Sequence, residues 1–177
     1  MVLCQKNGRL REGALPLLAT AFDFLQQAMV LYGDEDLLGE DGRRCNPWYK
    51  PAWSPDTYLS QFYLGSVIAV RKSVWNQATE KQPLWQEKEK QGLHIKEDRN
   101  GCTITCISFE GCEEIQAIVL QILEGVGAFE KNAYTVCRCG EILFHVAKEA
   151  VWENYLSASS RRACEKSPEG LVSVIIP

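Results

Sequence analysis

The chain has 177 residues, of which 46% are hydrophobic and 24% charged, with a formal net charge of -4. This length is typical of one domain with a real core, and the acidic balance gives no support for a nucleic-acid partner, which needs a basic face. No apolar run reaches the roughly 18 residues of a membrane span, and MVLCQKNGRL lacks the apolar segment of a signal peptide, so we expect a cytoplasmic protein without a membrane span.

The first predicted element is a helix over residues 12–29, where apolar residues recur at spacings of three and four. A short strand over residues 29–32 follows, and then a turn-rich segment in which Asp41-Gly42 is a hairpin signal. The next segment, CNPWYKPAWSPD, carries three prolines. Proline at that density argues against helix and regular sheet, so we expect an ordered loop that packs on the domain surface or over a cleft.

The middle of the chain predicts a buried strand over residues 66–71 that leads into a short helix. Residues 76–100 are polar and charged without a persistent apolar face, which indicates a loop or a solvated insertion. Residues 102–109 alternate like a strand. The segment after them has a periodic apolar face and ends at Gly125, which is typical of a helix with a glycine near its C-terminus.

The last part of the chain contains two predicted short strands, AYTVCRC and EILFHVA. An amphipathic helix over residues 148–166, an SPEG linker and a final apolar strand over residues 171–177 are expected after them. Alternating strands and helices predict an α/β domain with a central sheet. The sequence contains neither G-x-G-x-x-G nor a Walker loop, so it offers no phosphate-binding fingerprint.

Eight cysteines are many for a cytoplasmic chain, and without a signal peptide we expect them to be reduced. Cys102 and Cys106 are separated by three residues, and Cys137 and Cys139 by one. Neither pair has the spacing of a zinc ribbon, and no paired histidines follow. We therefore predict mostly buried, small hydrophobic side chains, with a structural zinc site as the less favoured alternative.

The segment VLYGDEDLLGEDGRRCNPWYKPAWSPDTYLSQFYLGSVIAVRKSVW, residues 30–75, resembles family-2 bacterial glycosyltransferases of cell-surface polysaccharide synthesis. In that family a strand leads to SDED, a D-x-x-G-R-R turn, P-x-F-K-P-x-W-S-P-D, L-L-S-Q-N-Y-I and a strand ending in RR. RLREGALPLLATAF is similar to the helix after the family's sugar-nucleotide site, and FEGCEEIQAIVLQILEG and EILFHVAKE are similar to later motifs. The resemblance implies an α/β fold, an incomplete GT-A-like mixed sheet flanked by helices.

The resemblance also implies a domain organisation. Residues 1–168 would be the back part of one glycosyltransferase domain, with residues 76–108 as a divergent insertion or loop. Its nucleotide-binding half, roughly a hundred residues, is expected before Met1. Residues 169–177 would be a linker and the first strand of a second, truncated domain.

The implied function is sugar transfer from a nucleotide sugar to a saccharide acceptor, by a chain expected to be inactive alone and to associate with another glycosyltransferase chain. The alternative is a non-catalytic remnant or an interaction module that completes a partner chain. In the family, a divalent cation, Mg²⁺ or Mn²⁺, neutralises the leaving diphosphate.

The family's metal-binding D-x-D precedes the first helix, where this chain has Gln5, Lys6, Asn7 and Gly8. None of these is a carboxylate, and Lys6 would repel a cation. We therefore expect no competent metal site at this position, which puts the cofactor in doubt.

Two acidic clusters are candidates for the site. Asp34-Glu35-Asp36 matches the family's second acidic segment; either Asp34 and Asp36 contribute to the sugar or acceptor side of the cleft, or all three are solvent-facing turn residues, which we favour because charged turns are common. The resemblance carries the catalytic base to Glu114, in a pair with Glu113. The alternative for this pair is an acidic first turn that stabilises a helix.

Two further residues are substrate-binding candidates. His145 matches a family histidine near the diphosphate, although a lone histidine on an apolar strand is more often a satisfied core residue. Trp53 has an aromatic face suited to stacking on a sugar ring. The alternative for Trp53, which we slightly favour, is a packed cover over the edge of the sheet.

Overall fold

The computed structural model describes residues 1–80, 83–97, 102–130 and 135–147. Its strands, in chain order, are β1 (Val2–Gln5), β2 (Gly8–Leu10), β3 (Val30–Leu38), β4 (Arg44–Trp48), β5 (Val67–Val70), β6 (Leu93–Glu97), β7 (Cys102–Phe109) and β8 (Val136–Ala147). Its helices are α1 (Ala14–Phe24), α2 (Pro55–Ser60), α3 (Lys72–Thr79), α4 (Pro83–Gln91) and α5 (Cys112–Gly125).

The strands form one mixed sheet in the order β2-β8-β3-β5-β1-β7-β6, with β4 paired to β3. β1 is parallel to β7, and β3 is parallel to β8. Because β5 is antiparallel to both β1 and β3, the strands β1, β3, β7 and β8 all run in one direction. Their C-terminal ends lie along one edge of the sheet, which we call the carboxyl edge.

Alternate residues of the central strands pack on opposite faces of this sheet. On one face Leu3, Val30 and Ile68 join a core with residues of α3 and α5. On the other face Leu31 and Ala69 pack with α1. The predicted α/β architecture, a mixed sheet flanked by helices, is therefore confirmed.

Helix α1 is shorter than the predicted span of residues 12–29, and Pro16 lies in its first turn, where proline is tolerated. The guanidinium of Arg71 binds backbone carbonyl oxygens at the C-terminal end of α1. Arg71 Nη2 donates to the carbonyl oxygens of Phe22, Leu25 and Gln26 at 2.8–2.9 Å, and Nε donates to that of Ala28. One cation thus satisfies carbonyl groups that the end of a helix leaves unpaired.

We expect Arg71→Ala to lower the free energy of unfolding by about 2–4 kcal/mol, since it removes several charged hydrogen bonds to backbone oxygens. Urea denaturation followed by tryptophan fluorescence measures the change. Arg43→Ala is the matched control because Arg43 is 89% exposed and pairs only loosely with Asp41, at 3.7 Å. A loss for Arg71→Ala no larger than the control's would contradict this role.

Strand β3 is more than twice as long as predicted: it continues through Asp34-Glu35-Asp36 to Leu38. The favoured interpretation of these three residues as a solvent-facing turn is wrong, because all three are buried. The turn lies further on, at the predicted hairpin between β3 and β4. There Asp41 Oδ1 accepts a hydrogen bond from the backbone N–H of Arg43 at 3.0 Å, and Gly42 has a φ of 73°.

The proline-rich segment contains more regular structure than predicted. Pro47 belongs to β4, whose pairing within the described residues is with β3 alone, and such an edge strand tolerates a residue without an N–H. Pro55 begins α2, a position that suits its fixed φ. Ser54 caps this helix, with its hydroxyl accepting from the backbone N–H of Thr57 at 3.4 Å.

For residues 76–100 the sequence predicts a loop or a solvated insertion. The loop is wrong, because this stretch contains the end of α3, α4 and β6, and the insertion stays a prediction. Helix α4 has no continuous apolar face and is held instead by a few specific contacts. Trp85 stacks on Trp75 with ring centroids 5.9 Å apart, and Glu89 accepts from Trp75 Nε1 at 2.8 Å. Strand β6 then pairs antiparallel with β7.

The two strands predicted after residue 133 are one strand, β8, whose register against β3 shifts beside Gly33 and Asp34. This irregularity explains why the sequence reads as two segments. The predicted helix over residues 148–166, the linker and the strand over residues 171–177 lie outside the described residues. Among the helices of the described ranges, none has the length and apolar character needed to cross a bilayer.

Candidate functional site

Most of the predicted site residues lie near the carboxyl edge of the sheet. Gln5 ends β1, α5 begins just after β7, and the acidic part of β3 extends past its pairing with β5. In open α/β sheets, ligands bind outside the carboxyl ends of the strands. The fold therefore gathers the candidate groups where a binding site is expected.

Asp34 is held from two sides in the interior. Its Oδ1 accepts from the backbone N–H of Lys50 at 2.9 Å and from Arg138 Nε at 3.1 Å. Its Oδ2 accepts from Arg138 Nη2, so the guanidinium bonds the carboxylate with two nitrogens. Only 2% of the Asp34 side chain is exposed, and its charge is compensated inside the fold.

Glu35 and Lys50 form a buried ion pair. Lys50 Nζ lies 3.4 Å from Glu35 Oε2 and donates to the carbonyl oxygen of Leu64 at 2.7 Å. Glu35 Oε2 also accepts from the backbone N–H of Ser66 at 2.9 Å. Burial lowers the pKa of the Lys50 ammonium, and the Glu35 carboxylate opposes that shift. A Cβ on Gly65, whose φ is 85°, would lie 2.1 Å from Lys50 Nζ, so glycine is required there.

Asp36 is the third buried carboxylate of β3, and its Oδ2 accepts from Arg44 Nε at 2.6 Å. Arg44 is 47% exposed along its side chain, which makes this pair the most accessible of the three. In the register of β3 and β8, Asp36 lies opposite His145, and β2 brings Arg9 opposite His145 on its other side. The backbone thus places His145 at the same edge as the acidic residues.

Cys112 connects the acidic cluster to the start of α5. Its Sγ lies 3.3 Å from Ser66 Oγ and donates to Gln5 Oε1 at 3.5 Å. Burial raises the pKa of this thiol, so it acts as a hydrogen-bonding group rather than a nucleophile. The amide of Gln5, at the position that matches the family's D-x-D, is thereby buried and already engaged.

Glu113 and Glu114 are exposed in the first turn of α5. Both suit a helix N-terminus, because the helix dipole favours negative charge there. Glu114 Oε1 also accepts from Lys88 Nζ at 2.8 Å, which ties α5 to α4. The structure therefore shows features of the helix-stabilising alternative, and the catalytic role of this pair stays a prediction.

Trp53 is placed differently from the other candidates. It is 8% exposed, and its ring packs against those of Tyr58, Tyr63 and Phe129 at centroid distances of 5.4–6.4 Å. This aromatic cluster favours the interpretation of Trp53 as a packed cover. Stacking of its face on a sugar would require the cluster to open.

The described side chains contain no group of three or more histidine, cysteine, aspartate and glutamate residues arranged to hold a metal. The carboxylates of β3 are engaged by basic side chains instead. Cysteines whose side chains are described form no disulfide with one another; they are Cys4, Cys45, Cys106, Cys112, Cys137 and Cys139.

Cys106 is expected to react slowly with thiol reagents, because burial raises its pKa to about 11. At pH 8 about one such thiol in a thousand is a thiolate, so alkylation should be about 100-fold slower than for an unperturbed cysteine. Peptide mass spectrometry after iodoacetamide treatment gives the rate at this residue. The same measurement in urea is the control, and equal rates in native and unfolded protein would contradict the prediction.

Sequence reasoning missed the basic partners of the acidic cluster, above all Lys50 and Arg138. Lys50 stands in an aromatic and proline-rich segment, and Arg138 is the only charged residue in the predicted strand AYTVCRC. A single charge inside an otherwise uncharged predicted strand is a signal for an ion pair, because charged residues are rarely buried without a partner. Which carboxylate each one meets depends on the register of distant strands.

Comparison with known proteins yields one partial similarity. Over 59 residues, 33% of this chain, the sequence is 41% identical to the O-antigen biosynthesis protein RfbC of Myxococcus xanthus. The match covers 5% of that protein's length. No protein-family profile matches the chain, and no solved structure gives a significant match. The similarity is thus to a short part of a much longer protein of O-antigen biosynthesis.

Proposed function

We propose that the chain belongs to a GT-A-like, family-2 glycosyltransferase domain that transfers a sugar from a nucleotide-activated donor in the synthesis of a cell-surface polysaccharide. The observation that carries this proposal is the 41% identity over 59 residues to an O-antigen biosynthesis protein. The resemblance of residues 30–75 to family-2 motifs supports it, as does the gathering of acidic residues at the carboxyl edge.

The proposed chemistry is an inverting transfer. An acceptor hydroxyl attacks the anomeric carbon, the new glycosidic C–O bond forms, and the bond from that carbon to the nucleotide diphosphate breaks. Glu114 takes the proton of the attacking hydroxyl as general base, with Glu113 beside it. The diphosphate leaves with its electron pair. A divalent cation of the kind the family uses would supply charge neutralisation there, but no described residues are arranged to hold one.

The ion pairs of the three buried β3 carboxylates have a supporting role in this proposal. They fix the strand that leads to the edge, with Asp34 and Asp36 on the acceptor side. Arg44, 47% exposed, is the accessible part of that side, and its guanidinium offers donors to sugar hydroxyls beside the buried carboxylate of Asp36. His145 lies opposite Asp36 in the strand register, which suits a role near the diphosphate.

A non-catalytic interaction module is the second candidate, favoured by two observations. Gln5, Lys6, Asn7 and Gly8 supply no carboxylate where the family has its D-x-D. Glu114 already accepts a hydrogen bond from Lys88 at 2.8 Å, so its carboxylate is engaged by a protein group. The chain would then complete a partner glycosyltransferase chain instead of catalysing transfer.

The test measures nucleoside diphosphate release from UDP-, GDP- and dTDP-sugars with Mn²⁺ and a saccharide acceptor. It compares the purified chain with the same chain joined to the segment encoded directly upstream. We expect little release from the chain alone and clear release from the joined protein, lowered by about 10²–10⁴ in Glu114→Gln. Glu87→Gln, an exposed carboxylate on α4, is the matched control. Absence of release from the joined protein would favour the interaction module.

A further inference from the structure

A groove of about 480 Å³ lies between α3 and α4, in a part of the chain that the glycosyltransferase resemblance mostly leaves uncovered. This volume is within the range of small-molecule sites, about 300–1,000 Å³. Helix α3 contributes two lining residues and the residue after its end a third, while α4 contributes three. In both groups the spacings of three and four place the residues on one helical face. The lining residues are Asn76, Thr79, Glu80, Gln86, Glu89 and Lys90.

The chemistry of this lining suits sugar hydroxyl groups. Amide, hydroxyl, carboxylate and ammonium groups together provide donors and acceptors, and each sugar hydroxyl both donates and accepts. Asn76, Glu80 and Lys90 are exposed, and within the described ranges their side chains have no hydrogen bond or ion pair to other protein groups. These three side chains are therefore available to a ligand.

The walls of the groove are held in place by the remaining residues. Gln86 Nε2 donates to the carbonyl oxygen of Thr79 at 3.3 Å and links the two helices. Glu89 accepts from Trp75 Nε1 at 2.8 Å, and Trp75 is stacked on the partly exposed Trp85. A site whose polar groups are already ordered loses less conformational entropy on binding. Trp85 directly precedes the lining residue Gln86 in α4 and is partly exposed, and aromatic surfaces suit the apolar faces of sugar rings.

The charges of the groove restrict the class of ligand. Two carboxylates, Glu80 and Glu89, stand against two ammonium groups, Lys90 in the lining and Lys72, which forms an ion pair with Glu89. The charges therefore balance, and the groove has no excess charge to attract a phosphate group or an acidic sugar. We propose that the α3–α4 groove binds a neutral saccharide, at a site separate from the carboxyl edge. The assignment of that saccharide to the acceptor glycan rests on the proposed function, but the binding itself does not.

Titration of the ¹⁵N-labelled chain with maltotriose, chitotriose and a rhamnose trisaccharide tests this proposal by following the tryptophan indole N–H signals. We expect at least one of these neutral sugars to shift the Trp85 signal in saturable fashion, with a Kd on the order of millimolar. Asn76→Ala combined with Glu80→Ala should weaken that binding by about tenfold. Gln121→Ala, an exposed polar residue on α5, is the control and should leave the affinity unchanged.

The proposal is overturned if none of the three sugars shifts the Trp85 signal, or if the double variant binds as tightly as the unmodified chain. A shift with uridine diphosphate that exceeds the shift with every neutral sugar would also overturn it. These outcomes are independent of nucleoside diphosphate release. If sugar binds but the joined protein shows no transfer, the glycosyltransferase proposal fails and the proposal of a saccharide site stands.

Discussion

Gly65→Ala is expected to lower the free energy of unfolding by about 3–5 kcal/mol. Gly65 has a φ of 85°, which strains any residue with a side chain, and its Cβ would meet Lys50 Nζ at 2.1 Å and Glu35 Oε2 at 2.8 Å. Those atoms form a buried ion pair and have little freedom to move apart. Urea denaturation followed by tryptophan fluorescence gives the change.

Gly42→Ala separates the two causes of this loss. Gly42 also has a left-handed φ, 73°, but a Cβ there would meet nothing within 4 Å. Backbone strain alone should cost about 1–2 kcal/mol. Equal losses for the two variants would show that the contact with Lys50 and Glu35 does not matter.

Lys50→Met is expected to destabilise the fold by about 3–5 kcal/mol, because it leaves the Glu35 carboxylate buried without its cation. The carbonyl oxygen of Leu64 also loses the donor that lies 2.7 Å from it. A methionine has nearly the same length, so the effect reports on charge more than on volume. The same denaturation experiment measures it.

Two comparisons make this prediction specific. Lys6→Met removes an ion pair with a shorter distance, 2.6 Å to Glu110, but both side chains are more than 60% exposed, so we expect a much smaller change because solvent screens the pair. Lys50→Met combined with Glu35→Gln should recover part of the stability, since no unpaired charge is then buried. Glu35→Gln could lower the stability of the Lys50→Met variant as much as it lowers that of the unmodified chain. The two residues would then not be coupled, and the ion-pair explanation would fail.

The apolar elements were readable from the sequence because their signal is local. Strand β5 and helix α5 lie within about two residues of their predicted bounds, and the buried side of α5 is the predicted one. In each, the side chains that face the core are hydrophobic and recur with the period of the element.

The polar elements were misread because their stabilising partners are distant in sequence. By its local sequence Asp34 resembles a turn residue. Its partner Arg138, which donates a hydrogen bond to its carboxylate, lies 104 residues later in the chain. Helix α4 has no apolar stripe to reveal it, and its docking relies on the Trp75–Trp85 stack and on Glu89. Local composition favours solvent exposure in both cases. The tertiary fold reverses that preference for Asp34, whereas the described side chains of α4 stay exposed or half-buried.

The long separation between Asp34 and Arg138 also has a consequence for how the protein is made. During synthesis β3 leaves the ribosome about a hundred residues before β8, so the β3 edge that pairs with β8 stays open until then. Burying the charge of Asp34 before its partner Arg138 is made is unfavourable. The acidic run thus protects β3 during synthesis, because its charges disfavour pairing of the open β3 edge with other chains until β8 emerges.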